Sequence, residues 1–116
     1  AEEDTYPVKG KIIRKYVAGK TDGVDIAARA GSPILSIRAG VVAAVTQDVN
    51  RVPIVVIKHA NNLLTVYAHL SEVNVKKGDA VTKGHLIARV PAGNPAYMHF
   101  EVRKGLNPIN PNGYLD

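Results

Sequence analysis

Short β-favouring runs, each closed within a few positions by glycine, asparagine or proline, constrain this chain more than any other feature. The runs span 11–16, 24–28, 33–37, 40–47, 54–59, 63–69, 85–90 and 97–103. Between them stand Gly19, Gly23, Gly31 with Ser32 and Pro33, Asn61 with Asn62, Gly78 with Asp79, Gly84, and Gly93 with Asn94 and Pro95. Strands this short at such regular spacing predict an all-β domain. Only the stretch 71–75 has room for a helical turn. The tail 107–113 reads as irregular but ordered, because Ile109, Tyr114 and Leu115 can anchor it. At 116 residues the chain has the size of one domain, 1–116, with a single hydrophobic core. The longest apolar stretches fall far short of the roughly 20 residues that span a bilayer, so no membrane span is expected.

Alternation assigns faces to two of the runs. In Leu64, Thr65, Val66, Tyr67, Ala68, His69, period two groups Leu64, Val66 and Ala68 against Thr65, Tyr67 and His69, with His69 on the less apolar face. In the run from Tyr97 to Val102, Met98, Phe100 and Val102 make a core face, and Tyr97, His99 and Glu101 project opposite.

The chemistry available is narrow. With no cysteine there is no disulfide, thiolate metal site or thiol nucleophile. The remaining candidates are four histidines and a few carboxylates, chiefly Asp22, Asp25 and Glu101. No His-x-His or His-Glu-x-x-His pair occurs, and Ser32, Ser36 and Ser71 sit in no Gly-x-Ser-x-Gly elbow. His59, before the Asn61–Asn62 turn, and His85 read as surface or edge histidines. The net charge of +5 favours an anionic partner. Yet the basic residues are spread along the chain and not interleaved with aromatics, so nucleic acid is not an expected partner.

Six ordered segments together carry a resemblance. They are Tyr6-Pro7-Val8-Lys9-Gly10-Lys11-Ile12, Gly23-Val24-Asp25-Ile26-Ala27-Ala28, Gly40-Val41-Val42, Tyr67-Ala68-His69-Leu70-Ser71, Val75-Lys76-Lys77-Gly78-Asp79-Ala80-Val81 and Met98-His99-Phe100-Glu101-Val102-Arg103. They resemble the LytM/lysostaphin-type zinc peptidases across nearly the whole chain. The resemblance implies a compact antiparallel β-sheet domain with a groove, floored by the strands carrying His69 and His99. It also implies a zinc held at the positions of Thr21, Asp25 and His99, and two catalytic histidines at the positions of His69 and Tyr97. Here one ligand histidine is Thr21 and one catalytic histidine is Tyr97. Threonine is a neutral hydroxyl with little affinity for zinc, and a two-ligand site competes poorly for the ion. The expectation is therefore no bound metal or other cofactor, no catalytic residue and no hydrolysis. Asp25 and His99 are free to hydrogen-bond each other across the relic site, while Tyr97 could fill the vacated space or contact a partner. The loops 14–22 and 91–95 are short and should leave the groove open.

The amidase-activating members of this family, of the NlpD, EnvC and DipM type, are similar in having lost zinc residues. That similarity implies a regulator of peptidoglycan hydrolases in cell-wall remodelling and cell division, in the periplasm or cell envelope of a bacterium. Thr21, Asp25, His69, Tyr97 and His99 would form the contact groove. A passive peptidoglycan-binding module and an active zinc endopeptidase are the alternative readings. The stretch 75–87 also resembles the strand pair of biotinyl and lipoyl carriers, but the only methionine, Met98, lies beside His99 and not at a modified lysine.

Overall fold

The computed structural model describes residues 5–115; the acidic opening Ala1–Asp4 lies outside them. Its strands are β1 (Lys11–Arg14), β2 (Val24–Ala27), β3 (Pro33–Leu35), β4 (Gly40–Gln47), β5 (Pro53–Lys58), β6 (Leu63–Ala68), β7 (Ala80–Val81), β8 (Leu86–Arg89), β9 (Tyr97–Lys104) and β10 (Asn107–Ile109). The main sheet runs β1-β2-β9-β6-β5-β4-β7, with β10 paired to β9, and β3 and β8 form a second, two-stranded sheet. Every pairing is antiparallel. The domain is all-β with an antiparallel sheet, as the punctuated short runs predict.

One face of the main sheet packs against the small sheet. Val24 and Ile26 of β2, Met98, Phe100 and Val102 of β9, and Val55 and Ile57 of β5 are buried with Ile34 of β3 and Ile87 of β8. Each of these side chains contributes roughly 1.5–3 kcal/mol by leaving water. Tyr67 and Phe100 meet with ring centroids 5.5 Å apart, tilted by 54°. This face needs a partner layer, and its cover leaves the opposite face of β2, β9 and β6 to form the groove floor.

Several expectations are corrected. In β6 the face that alternation marks as less apolar lines the core: Leu63, Thr65 and Tyr67 are buried, Thr65 and Tyr67 fully, while Leu64 and Ala68 of the other face are only partly buried. A polar face can be the core face here because its polar atoms are satisfied. His59 Nδ1 lies 2.8 Å from the Ala39 carbonyl, and its Nε2 lies 2.7 Å from the Thr65 hydroxyl. Thr65 donates to the Tyr67 hydroxyl at 2.9 Å, which also accepts the Ile37 N–H at 3.2 Å. His59 is accordingly buried, not a surface histidine. Gly40 makes room for it: a Cβ there would stand 2.8 Å from His59 Nδ1 and 2.5 Å from the Lys58 carbonyl.

The stretch 71–75 forms no helical turn. Ser71 bridges Arg89 through two backbone hydrogen bonds, and Asn74 N–H donates to the Ile87 carbonyl, so the free edge of β8 holds the segment extended. The tail is more regular than predicted: Gly105, at φ +61°, turns the chain so that β10 pairs back onto β9. Ile109, Tyr114 and Leu115 do pack on the core. Among the described residues, no helix is long and apolar enough to cross a membrane.

Candidate functional site

The register of three strands assembles the site. Asp25 of β2 stands opposite His99 of β9, and His99 opposite Ala68 of β6. Directly opposed residues share a face, so Asp25, His99 and Ala68 form a row across the sheet. Tyr97, two positions before His99, opposes Ala27 on the same face. Gly23 allows β2 to enter this pairing, since a Cβ there would lie 2.2 Å from the Phe100 carbonyl oxygen.

His99 is held between two carboxylates. Its Nδ1 donates to Asp25 Oδ1 at 2.7 Å and its Nε2 to Glu101 Oε2 at 2.9 Å. Arg103 donates to Glu101 Oε1 from Nε at 2.8 Å, with Nη2 at 2.7 Å, and lies 3.7 Å from Asp22. Burial lowers the affinity of His99 for its second proton, but the hydrogen bonds and charges of Glu101 and Asp25 outweigh burial and raise its pKa above the ordinary value. Burial likewise pushes the Glu101 carboxyl upward, and His99 and Arg103 outweigh it, leaving the pKa below the ordinary value. Glu101 and Arg103 share the period-two face of His99. Alternation places Glu101 there; the part of Arg103 in locking Glu101 was missed, although its position, four after His99, was the available signal.

The second pair is His69 and Tyr97. Period two would turn His69 into the core behind Tyr67, but His69 adopts φ +59° and leaves the strand on the groove side. Its ring stacks on Tyr97, centroids 4.0 Å apart and 7° from parallel, and its Nδ1–H donates to the Tyr97 carbonyl at 2.9 Å. The stack and this bond together fix the plane of the His69 ring.

Thr21 shares a cleft of about 210 Å³ with Arg14, Lys20, Asp22, Gly23 and His99. Its hydroxyl is used within its own loop, accepting the Val17 N–H at 2.7 Å and donating to the Lys15 carbonyl at 3.1 Å. All five sequence-derived positions thus reach one side of the sheet, as two contacting pairs, Asp25–His99 and His69–Tyr97, with Thr21 beside the first.

These residues do not fit a zinc ion. Asp25 Oδ1 and His99 Nδ1, hydrogen-bonded to each other, are two atoms able to ligate a metal, and Glu101 behind His99 gives the carboxylate–histidine support that metal ligands commonly have. The third position offers only a threonine hydroxyl committed to Lys15 and Val17. Among the described residues, no three His, Asp or Glu side chains group as a metal site. A catalytic zinc needs three protein ligands and an open position.

The model of Peptidase family M23 matches residues 19–111. The chain belongs to this family. The M23 domain is 38% identical to "Cell division protein DipM" of Caulobacter vibrioides, over 84% of this chain and 17% of that protein. It is 31% identical to "Murein hydrolase activator NlpD" of Escherichia coli, over 95% of this chain and 30% of that protein. The chain therefore spans less than a third of either relative. Among solved structures, Helicobacter pylori Csd3 superposes with a TM-score of 0.87 at 37% identity, covering 98% of this chain and 33% of that one. The M23 domain thus has the fold that the six sequence segments imply, and it is similar in sequence to part of a protein named as a hydrolase activator.

Proposed function

We propose that this M23 domain is a non-hydrolytic regulator of the bacterial cell envelope. It binds peptidoglycan hydrolases, N-acetylmuramoyl-L-alanine amidases first among them, and sets their activity during cell-wall remodelling and division. The observation that carries the reading is the Thr21 hydroxyl, tied to Lys15 and Val17 at a position where hydrolysis needs a zinc-binding imidazole. Without a third donor no ion is held to lower the pKa of water or polarise a scissile carbonyl. His69 then has no activated nucleophile to assist. The likeness to an NlpD named for activating murein hydrolases supports the regulatory role.

The groove residues Thr21, Asp25, His69, Tyr97 and His99 form the contact surface. Asp25, His99 and Glu101 are locked by hydrogen bonds, so the surface is pre-organised and a partner need not order it on binding. Activation follows if the domain binds the active conformer of the hydrolase more tightly than the resting one.

The test is zinc content after zinc exposure and desalting, beside peptidoglycan hydrolysis with and without an amidase. Metal-free protein that is inert alone and accelerates the amidase is the expected result. One tightly held zinc with intrinsic wall cleavage would refute it. Salt-sensitive binding to sacculi without any activation would instead identify a passive wall-binding module.

A further inference from the structure

The outer edge of the main sheet is open and carries a single sign of charge. β1 pairs with β2 on one side, and among the described residues no strand covers its other side. An edge strand leaves alternate N–H and C=O groups unpaired, which is a template for another strand. Residues 9–20 contain Lys9, Lys11, Arg14, Lys15 and Lys20 and no acid. All five are exposed, and among the described residues none is ion-paired. The nearby acids are engaged elsewhere, Asp25 by His99 and Asp22 by Arg103.

Register places these cations in line with the groove. Lys11 opposes Ala27, which opposes Tyr97; Arg14 opposes Asp25, which opposes His99. Lys11 and Arg14 therefore stand on the groove face at the rim of the same two rows that hold the relic site. Ile12 opposes Ile26 on the other face and remains 37% exposed, and Ile13, the extra residue of a bulge between Ile12 and Arg14, is 46% exposed. The edge thus offers backbone pairing, aliphatic contact and two groove-side cations.

We infer that the free edge of β1 is a docking site for an extended, acid-bearing segment of a protein partner, which adds to the sheet as a further strand. Charge selects this occupant. A second copy of the chain pairing edge to edge would set Lys11 and Arg14 against cations of the other copy, and like charges directly opposed destabilise a strand pair. The same cations attract a strand with acidic side chains on alternate residues, facing Lys11 and Arg14, and apolar residues between them against Ile12. Main-chain hydrogen bonds then supply affinity, and the rim cations supply selectivity and speed of encounter. That the partner is a wall hydrolase rests on the regulator reading above; the strand-adding edge itself does not.

The probe is a short synthetic peptide of alternating glutamate and valine, titrated into the whole chain by amide NMR and hydrogen exchange. Two control peptides accompany it: one with alternate backbone nitrogens methylated, one with lysine in place of glutamate. The expected result is shifts centred on β1, slowed exchange of its outward amides, and loss of binding on methylation. The double variant Lys11→Glu/Arg14→Glu should bind the glutamate peptide about tenfold more weakly at low salt and favour the lysine peptide instead. Equal binding of the methylated peptide, equal binding of both charge types, or shifts away from β1 would each overturn the inference. So would dimerisation of the wild-type chain through β1. The same double variant is then assayed with an amidase. If the wild type activates and the variant activates equally with unchanged affinity, the edge is not the docking site, while the regulator reading stands. If the wild type activates no hydrolase yet the glutamate peptide adds to β1, the regulator reading fails and the edge inference survives.

Discussion

Replacing Glu101 by glutamine should reveal how the His99 cluster is held together. The Glu101 carboxylate accepts from His99 at 2.9 Å and from Arg103 at 2.8 Å. Hydrogen bonds to charged groups contribute about 1.5–3 kcal/mol, and glutamine keeps an acceptor oxygen, so only the charged part is lost. The side chains of His99 and Glu101 are 26% and 12% exposed, so water screens some of that part. The expected cost of Glu101→Gln is about 1–2 kcal/mol of folding stability near pH 5.5. Its pH dependence is the sharper signature. Although burial opposes it, the pKa of His99 is raised from the ordinary 6.5 by Glu101 and Asp25. The stability from His99 is therefore complete below 6.5 and is lost as pH rises through the raised value. The pKa of Glu101 is lowered from the ordinary 4.5, against the effect of burial, by His99 and Arg103. Its stability is complete above 4.5 and is lost as pH falls through the lowered value. The wild-type advantage should be largest between 4.5 and 6.5, vanish in acid, and shrink in base to the share that Arg103 maintains. Urea unfolding at a series of pH values in chelator-containing buffer measures the difference, and NMR of the His99 ring should show its titration moving down in the variant. A stability difference independent of pH, or an unmoved His99 titration, would refute the reasoning.

Thr21→His supplies an imidazole beside Asp25 Oδ1 and His99 Nδ1, with Glu101 already behind His99. Calorimetric titration should then show one zinc bound where the wild type binds none, without restored hydrolysis because Tyr97 remains. No gain in zinc binding would mean that Thr21 does not occupy a ligand position. Tyr67→Phe removes the acceptor of the buried Ile37 N–H and the partner of Thr65, and should cost about 1–3 kcal/mol in chemical unfolding. A loss below about 0.5 kcal/mol would show that the buried network relaxes freely around the gap.

β1–β6, β8 and β9 were legible because each is short, rich in β-favouring residues and bounded by turn-forming ones, whereas the two-residue β7 and the proline-containing β10 carry no such run and form only by pairing with β4 and β9. The face of β9 was legible too, since Met98, Phe100 and Val102 alternate without interruption and are all buried. In β6 hydropathy alone does not name the core face: it ranks Leu64, Val66 and Ala68 above Thr65 and Tyr67, while the fold satisfies the hydroxyls inside the core and buries the larger ring. His59 misled for the same reason: its partners are Ala39 and Thr65, twenty and six residues away. The stretch 71–75 has the local composition of a helical turn, and only its non-local pairing with β8 holds it extended.

By itself, the sequence determined the all-β class and the family likeness, and it put Thr21 and Tyr97 where that likeness implies histidines, because these depend on residue identity and local period. Only the tertiary structure decided what those residues do now. It gave the Thr21 hydroxyl to its own loop and set His99 between Asp25 and Glu101. It turned His69 out of the core onto Tyr97 through one left-handed residue, and it aligned Lys11 and Arg14 with the groove at an open edge. Each of these depends on register between strands distant in sequence, and hydrophobic period can select a face but cannot by itself name the residue opposite.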